Sequence, residues 1–215
     1  MKNWSDKFVL VLGLGETGLS MLRYLGAQGA RLRAADSRSA PAGLPEAAKY
    51  VAAQQIFCGA FTDALFDGID AIAISPGVPL ADPVVARAVA RGIPVVGDIE
   101  LFAQHLKQDS CISNPKSQIL NPVSKVLAIT GSNGKTTVTS MVAHLCQHAG
   151  KDAVAAGNIS PAVLDVMMQR GERQPDVWVL ELSSFQLETT DSLNAAAATV
   201  LNISEDHLDR YDGMN

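Results

Sequence analysis

The chain of 215 residues is 47% hydrophobic, 18% charged and 5% aromatic, with a mean hydropathy of +0.14 and a net charge of −5. That composition excludes a disordered charged tail or a low-complexity chain, and no apolar run approaches the roughly 18 residues of a membrane-spanning helix. Residues 1–107 balance at ten basic and ten acidic groups, while 108–215 hold seven against twelve, so there is no broad basic face for nucleic acid.

The N-terminus carries Lys2 and Lys7, but the apolar run 8–12 is too short for a signal-peptide core and ends in Gly-Leu-Gly-Glu. Cys58, Cys111 and Cys146 form no paired motif, which predicts idle thiols in a reducing compartment. The expectation is a cytoplasmic protein with no membrane or nucleic-acid partner, acting as a monomer.

Residues 8–107 alternate short apolar runs with helical patterns. Strands are predicted at 8–12, 32–35, 71–74 and 94–96, and helices at about 17–28, 45–53, 82–91 and 98–107. Runs of four or five Val, Ile, Leu and Ala residues suit strands buried on both faces of a parallel sheet. Strand–helix alternation predicts a Rossmann-like, doubly wound α/β domain over 1–107. Residues 108–124 hold two Asn-Pro steps and little periodicity, and read as a linker or insertion. From 125 the rhythm resumes: a strand at 126–130, a helix at 135–148 stopped by Gly150, and strands at 153–156, 177–181 and 198–203. This predicts a second, P-loop-type α/β domain over 125–215, too short to be complete.

Four strings carry chemistry. GLGETG (13–18) follows the first strand and opens a helix. Gly13 permits a tight turn, Gly15 lets a phosphate approach the backbone, and Gly18 lets the helix pack against the strand. Asp36 lies 21 residues after Gly15 at the end of the next strand, where a carboxylate can hold a ribose hydroxyl. The pattern fits a dinucleotide or another nucleotide equally well, and also a tight strand–helix turn without a ligand. TGSNGKTT (130–137) sits between strand and helix, so that successive N–H groups can wrap phosphate oxygens. Lys135 offers positive charge and Thr136 a hydroxyl for Mg²⁺. The general P-loop pattern wants a glycine where Ile129 stands, so the turn must use Gly131 and Gly134. In VLELSSFQLE (179–188), Glu181 ends an apolar strand, where a metal-holding carboxylate or a solvated strand-end charge would sit. In NISEDHLDRYDG (202–213), Asp206, His207 and Asp209 follow another strand and could hold a divalent metal or serve as caps. His144 and His148, four apart on a helix without a carboxylate nearby, read as ordinary helix surface.

Taken together, GLGETGLS, ADSR (35–38), SPGVP (75–79), GDIELF (97–102), TGSNGKTT, GNI (157–159), ELSSFQLE and NISEDHLDRYDG resemble the Mur ligases, the ATP-dependent amide ligases of peptidoglycan precursor synthesis. The glycine missing at Ile129 is itself the family form. ELSSFQLE is similar to the D-glutamate-adding branch rather than the branches that add alanine, diaminopimelate or lysine.

The resemblance implies that the first domain binds a uridine diphosphate sugar, not NAD. Glu16 and Thr17 would meet the diphosphate, Asp36, Ser37 and Arg38 the uridine side, and Ser75, Pro76 and Gly77 would line the pocket. The second domain would bind ATP through Gly131, Ser132, Asn133, Gly134, Lys135, Thr136 and Thr137. Thr136, Glu181 and His207 would hold Mg²⁺, Asn158 would contact the muramoyl-alanine end, and Lys135, Glu181, His207 and Asn158 would form the catalytic set. UDP-N-acetylmuramoyl-L-alanine and D-glutamate are the implied substrates, joined through an acyl phosphate. The family also has a C-terminal domain for the incoming amino acid and a carbamylated lysine, both expected beyond Asn215. The chain alone is therefore expected to bind substrate without turnover. A dinucleotide-dependent oxidoreductase and a non-catalytic nucleotide-binding fragment are the alternatives.

Overall fold

The structure is a computed structural model and describes residues 4–111 and 124–205. It divides into two compact units, Met1–Leu101 and Phe102–Asn215, the division falling inside one helix.

The first unit is built on five parallel strands: β1 (Phe8–Leu12), β2 (Arg31–Asp36), β3 (Ile56–Cys58), β4 (Ala71–Ile74) and β5 (Val95–Val96). Their order is β3-β2-β1-β4-β5, so the chain reverses direction across the sheet between β1 and β4. α1 (Glu16–Ala27), α2 (Leu44–Ala47), α3 (Pro83–Ala90) and the start of α4 (Asp98–Cys111) connect or follow them. The pleat sends successive side chains of a strand to opposite faces. Leu10, Leu12, Ile72 and Ile74 thus meet Leu65, Phe66, Ile69, Val85 and Ala88 on one face. Val9 and Val11 point the other way and are fully buried, as are Met21, Leu22 and Leu25 of α1. Asp82 caps α3, accepting from the N–H groups of Val84 (2.9 Å) and Val85 (3.2 Å), with Pro83 at the first helical position.

The second unit carries four parallel strands, β6 (Lys125–Thr130), β7 (Ala153–Gly157), β8 (Val177–Glu181) and β9 (Ala197–Val200), in the order β7-β8-β6-β9. α5 (Lys135–His148) follows β6, α6 (Val163–Arg170) follows β7, and the one-turn α7 (Ser184–Leu187) follows β8. Ile129, Ala143, Ala153, Val177 and Val179 form one core, against which Leu127, Val138, Val142 and Cys146 pack. On the other side of β8, Trp178 is fully buried and meets Phe102 edge-on at 5.1 Å between ring centroids. β9 is exposed along its length.

Most expected elements stand within one or two residues of their places, and the differences have local causes. The helix expected at 45–53 shrinks to α2, because the chain turns after Ala47 to deliver β3, an edge strand the sequence reading did not find. α6 and α7 were also not foreseen. Gly171, at φ +56°, stops α6, and Ser183 and Gln186 close a reciprocal capping box on α7. The strand expected to run to 203 stops at Val200, because the following residues turn onto the loop after β6. Gly150, at φ +77°, ends α5 as expected, donating to Gln147 O. The linker segment at 112–123 lies outside the described residues.

At Gly18, α1 runs so close to the loops after β1 and β4 that a Cβ would overlap the carbonyl oxygen of Gly13 and press on Ser75. Backbone cannot yield there as a flexible side chain would, so Gly18→Ala is expected to destabilise the first unit by at least about 1–3 kcal/mol. Urea denaturation followed by circular dichroism should show the lower midpoint of that unit's transition.

Candidate functional site

In a doubly wound sheet, ligands bind beyond the carboxyl ends of the strands where the strand order reverses. In the first unit that point lies between the loops after β1 and β4. Gly13, at φ +88°, turns the chain out of β1 and donates to Ala35 O at 2.8 Å. Ser75 N donates to Leu12 O (2.9 Å) and Ser75 Oγ to Gly13 O (3.2 Å), which ties the β4 loop to the β1 loop. Gly15 is the N-cap of α1 and supplies no side-chain cap. The space over its Cα is open. Glu16 and Thr17 begin the helix there, and Pro76 and Gly77 follow Ser75 across the same crevice. The residues expected to meet the diphosphate and to line the pocket therefore lie on the adjoining loops after β1 and β4, the former at a helix start suited to an anion.

Asp36, only 2% exposed, ends β2 beside this crevice. Its Oδ2 accepts from Leu14 N (2.7 Å) and from the Arg38 guanidinium (2.6 Å). Its Oδ1 accepts from Arg38 N (2.9 Å) and Arg38 Nε (2.8 Å). The fork from Arg38 is the main cause of a pKa drawn down to about 2, assisted by the two backbone donors and opposed by burial. Ser37 and Arg38 are exposed next to it. Four donors fill this carboxylate, so in this state Asp36 holds the loop after β1 and aims Arg38.

A carboxyl drawn below its ordinary value stabilises the fold above its unfolded pKa and loses that contribution as pH falls through its folded pKa. For Asp36 the window runs from about pH 4 down to about pH 2 and is worth about 2 kcal/mol. Asp36→Asn is expected to lower the stability of the first unit by a similar amount at pH 7 and to flatten this part of its acid unfolding profile. Denaturant titrations at a series of pH values measure both.

In the second unit, β6 runs into residues 131–137 and then α5. Gly131 (φ +135°) and Gly134 (φ +82°) make the turn, in place of the glycine absent at Ile129. Ile129 is instead a buried strand residue, 3% exposed, that accepts from Leu182 N at 2.8 Å. Lys135 Nζ folds back onto its own loop, donating to Gly131 O (2.8 Å) and Ser132 O (3.2 Å). Thr136 and Thr137 are exposed in the first turn of α5. Those first-turn N–H groups have no intrahelical partner, and Val138 is the first to donate back, to Gly134 O.

β8 lies directly beside β6, with Glu181 in register with Ile129. Glu181 is 2% exposed. Its Oε1 accepts from Asn158 Nδ2 at 2.9 Å, and Asn158 N donates to Glu181 O at 2.8 Å. Gly157, at φ +109°, lets this happen, since any Cβ there would overlap Glu181 O. Thr130 Oγ1 donates to Leu182 O at 2.8 Å and ties the loop's root to the same strand end. Glu181 Oε2 is buried and has no hydrogen-bond partner. An orphaned carboxylate oxygen next to a phosphate-type loop is the donor a hard divalent cation takes, so the residues present fit Mg²⁺. Among the described residues no cluster of three or more His, Cys, Asp or Glu side chains could hold a metal. His207, with Asp206 and Asp209, lies outside the described residues. His144 and His148 stack edge-on at 4.3 Å on α5 and join no such cluster.

Three residues to which the sequence reading gave no role belong to these arrangements. A Cβ at Gly43 would overlap Leu14 O, so Gly43 lets the segment before α2 close on the loop after β1. Gln186 bonds back to Ser183 and fixes the chain after Glu181. Asn202 bonds to Asn133 with both ends of its carboxamide. Only the Ser-x-x-Gln spacing of the second was visible as a pattern. Gly157→Ala should displace Glu181 or its strand, with an expected loss of at least about 2 kcal/mol in the second unit's stability, read from its thermal unfolding.

Comparison with known proteins agrees with this architecture. Residues 7–97 match the family model "Mur ligase MurD-like, N-terminal domain" and residues 129–215 match "Mur ligase middle domain". The UDP-N-acetylmuramoylalanine--D-glutamate ligase of Nitrosomonas europaea is 54% identical over 214 residues, covering 99% of this chain and 43% of that protein. The ligase of the same name from Chromobacterium violaceum is 51% identical over 211 residues, covering 97% and 44%. The chain thus spans less than half the length of the curated relatives it matches. Among solved structures, the UDP-N-acetylmuramate:L-alanyl-gamma-D-glutamyl-meso-diaminopimelate ligase from Neisseria meningitides aligns with a TM-score of 0.53 at 18% identity, over 96% of this chain and 64% of that one. The UDP-N-acetylmuramate-alanine ligase from Thermotoga maritima aligns with a TM-score of 0.51 at 20% identity, over 97% and 44%. Two matched family models in chain order, on two parallel sheets that end in these loops, establish that the chain belongs to the Mur ligase family.

Proposed function

We propose that this chain is the UDP-substrate- and ATP-binding part of an ATP-dependent ligase that joins D-glutamate to UDP-N-acetylmuramoyl-L-alanine. The observation that carries the reading is Glu181: a buried carboxylate with one oxygen fixed by Asn158 and the other unpartnered, in register with the strand that leads into TGSNGKTT. The substrate pair comes from the relatives, which share 49–54% identity and one name. Family membership sets aside the dinucleotide oxidoreductase that GLGETG and Asp36 left open.

In this reading the uridine diphosphate lies in the first unit. Its diphosphate meets the start of α1 at Glu16 and Thr17, with Ser75, Pro76 and Gly77 opposite. Asp36 keeps Arg38 and the β1 loop in place toward the uridine, next to Ser37. ATP lies in the second unit on Gly131, Ser132, Asn133, Gly134, Lys135, Thr136 and Thr137. Lys135 exchanges two neutral carbonyl acceptors for anionic phosphate oxygens, which bind an ammonium more strongly. Thr136, Glu181 and His207 would hold Mg²⁺, which supplies charge neutralisation at the transferring phosphate. Asn158 orients Glu181 and reaches the alanyl end of the sugar substrate.

The chemistry has two steps. An oxygen of the alanyl carboxylate attacks the γ-phosphorus, the bond to the β-phosphate oxygen breaks, and ADP leaves. The amine of D-glutamate then attacks the acyl phosphate carbonyl, inorganic phosphate departs, and the nitrogen gives a proton to solvent. Phosphoryl transfer asks the protein mainly for alignment and charge stabilisation, which Lys135 and the α5 amino terminus offer.

A thermal-shift titration tests the reading on both units. A ligand at 100 times its Kd adds about 2.7 kcal/mol, a rise of roughly 5–10 °C for a protein of this size. UDP-N-acetylmuramoyl-L-alanine and Mg-ATP are each expected to stabilise the chain, and NAD(H) is not. Lys135→Ala and Glu181→Gln should abolish most of the Mg-ATP shift and leave the UDP-sugar shift intact. Stabilisation by NAD(H) without the UDP sugar would overturn the assignment.

A further inference from the structure

The residues after β9 do not leave the sheet freely. Leu201 N donates to Thr130 O at 2.9 Å, the last strand-like bond. Asn202 then lies against the phosphate loop. Its carbonyl oxygen accepts from Ser132 N at 3.0 Å. Its side chain pairs with a single peptide unit from both ends: Oδ1 accepts from Asn133 N at 2.8 Å, and Nδ2 donates to Asn133 O at 2.9 Å. Two residues on, Ser204 N donates to Ser132 Oγ at 2.9 Å, and Ser132 Oγ donates to Ser204 O at 3.2 Å. Gly131 is shaped for this contact, since a Cβ there would stand 3.0 Å from Asn202 O and 3.1 Å from Asn202 N.

Phosphate loops bind through their peptide N–H groups. Here two of those groups, on Ser132 and Asn133, are already engaged by Asn202. Gly134, Lys135, Thr136 and Thr137 follow, at the amino terminus of α5. We infer that Asn202 is a positioning residue of the ATP site. Its carboxamide clamps the first half of the loop, so that the phosphates are received by the N–H groups of Gly134, Lys135, Thr136 and Thr137 and not by those of Ser132 and Asn133. A carboxamide suits this task, because a peptide unit presents one donor and one acceptor and an amide answers each with a separate neighbouring atom. The inference rests on the ATP reading of residues 131–137.

The test uses the full chain and Mg-ATP. In wild-type protein labelled with ¹⁵N, a non-hydrolysed Mg-ATP analogue is expected to shift the amide resonances of Gly134, Lys135, Thr136 and Thr137 strongly and those of Ser132 and Asn133 little. Asn202→Ala is expected to weaken Mg-ATP binding at least about tenfold, equivalent to about 1.4 kcal/mol, with the UDP-sugar affinity of the other unit unchanged. Comparable shifts at Ser132 and Asn133 would overturn the division of the loop without needing the variant to fold. A folded Asn202→Ala protein that binds Mg-ATP as tightly as wild type would overturn the clamp. Absence of Mg-ATP binding by wild type would remove the ATP reading itself, and the inference with it.

Discussion

A carboxylate almost wholly removed from water must be answered by hydrogen bonds or by a cation. Glu181 is that carboxylate, and the second unit is arranged around it. Gly157 has no side chain because its Cα passes against the Glu181 carbonyl. Asn158 follows and bonds Glu181 twice, once through its backbone and once through its side chain. Thr130 reaches across to Leu182 and ties the root of the loop to the strand end. Half of the carboxylate's requirement is met by protein. The other oxygen is buried without a hydrogen-bond partner.

Asp36 makes the instructive contrast. It too ends a parallel strand and is equally buried, yet both of its oxygens are filled by Leu14 and Arg38. Asp36 is saturated by donors and braces its own loop, whereas Glu181 keeps one buried oxygen unpartnered. The difference is invisible in the one-letter code, where both are single acids after an apolar run. It emerges from which donors the neighbouring turns deliver: a guanidinium two residues on for Asp36, and a lone amide from the adjacent strand for Glu181. The bracing role also explains why the dinucleotide-like spacing of Gly15 and Asp36 does not specify a dinucleotide. The carboxylate's lone pairs are spent on its own loop and on the guanidinium and backbone of Arg38.

The parallel sheets and the glycine turns that end their first strands were legible because their signals are local. Contiguous apolar runs mark strands buried on both faces, and glycines at 13, 18, 131 and 134 sit where turning or close approach demands them. α6 was legible too, with apolar residues at 163, 164, 166 and 167 before Gly171, and was passed over. β3 offered only three residues, Ile-Phe-Cys, two of them exposed. It exists because β2 presents an open edge, a fact of the sheet and not of the segment. The helix pattern at 45–53 lost to that pairing, an example of tertiary structure overriding local propensity. Asn202 could not be read at all. Its partner is 69 residues away, and an Asn after a strand is an ordinary turn residue until the loop it faces is known.

The glycine missing at Ile129 gains a physical explanation from the same contacts. In this loop the position that the general pattern gives to glycine still belongs to the strand: it is buried, in register with Glu181, and its carbonyl is bonded by Leu182. A glycine there would remove core packing and loosen the strand that carries the loop. The turn consequently starts late and is completed by Gly131 and Gly134 alone, which leaves residues 132 and 133 without the regular bonds of strand or helix. Such a segment needs its backbone groups satisfied from outside. Asn202 meets that need with its carbonyl and its carboxamide, so the displaced glycine and the asparagine 73 positions later in the numbering are two parts of one solution to closing this loop.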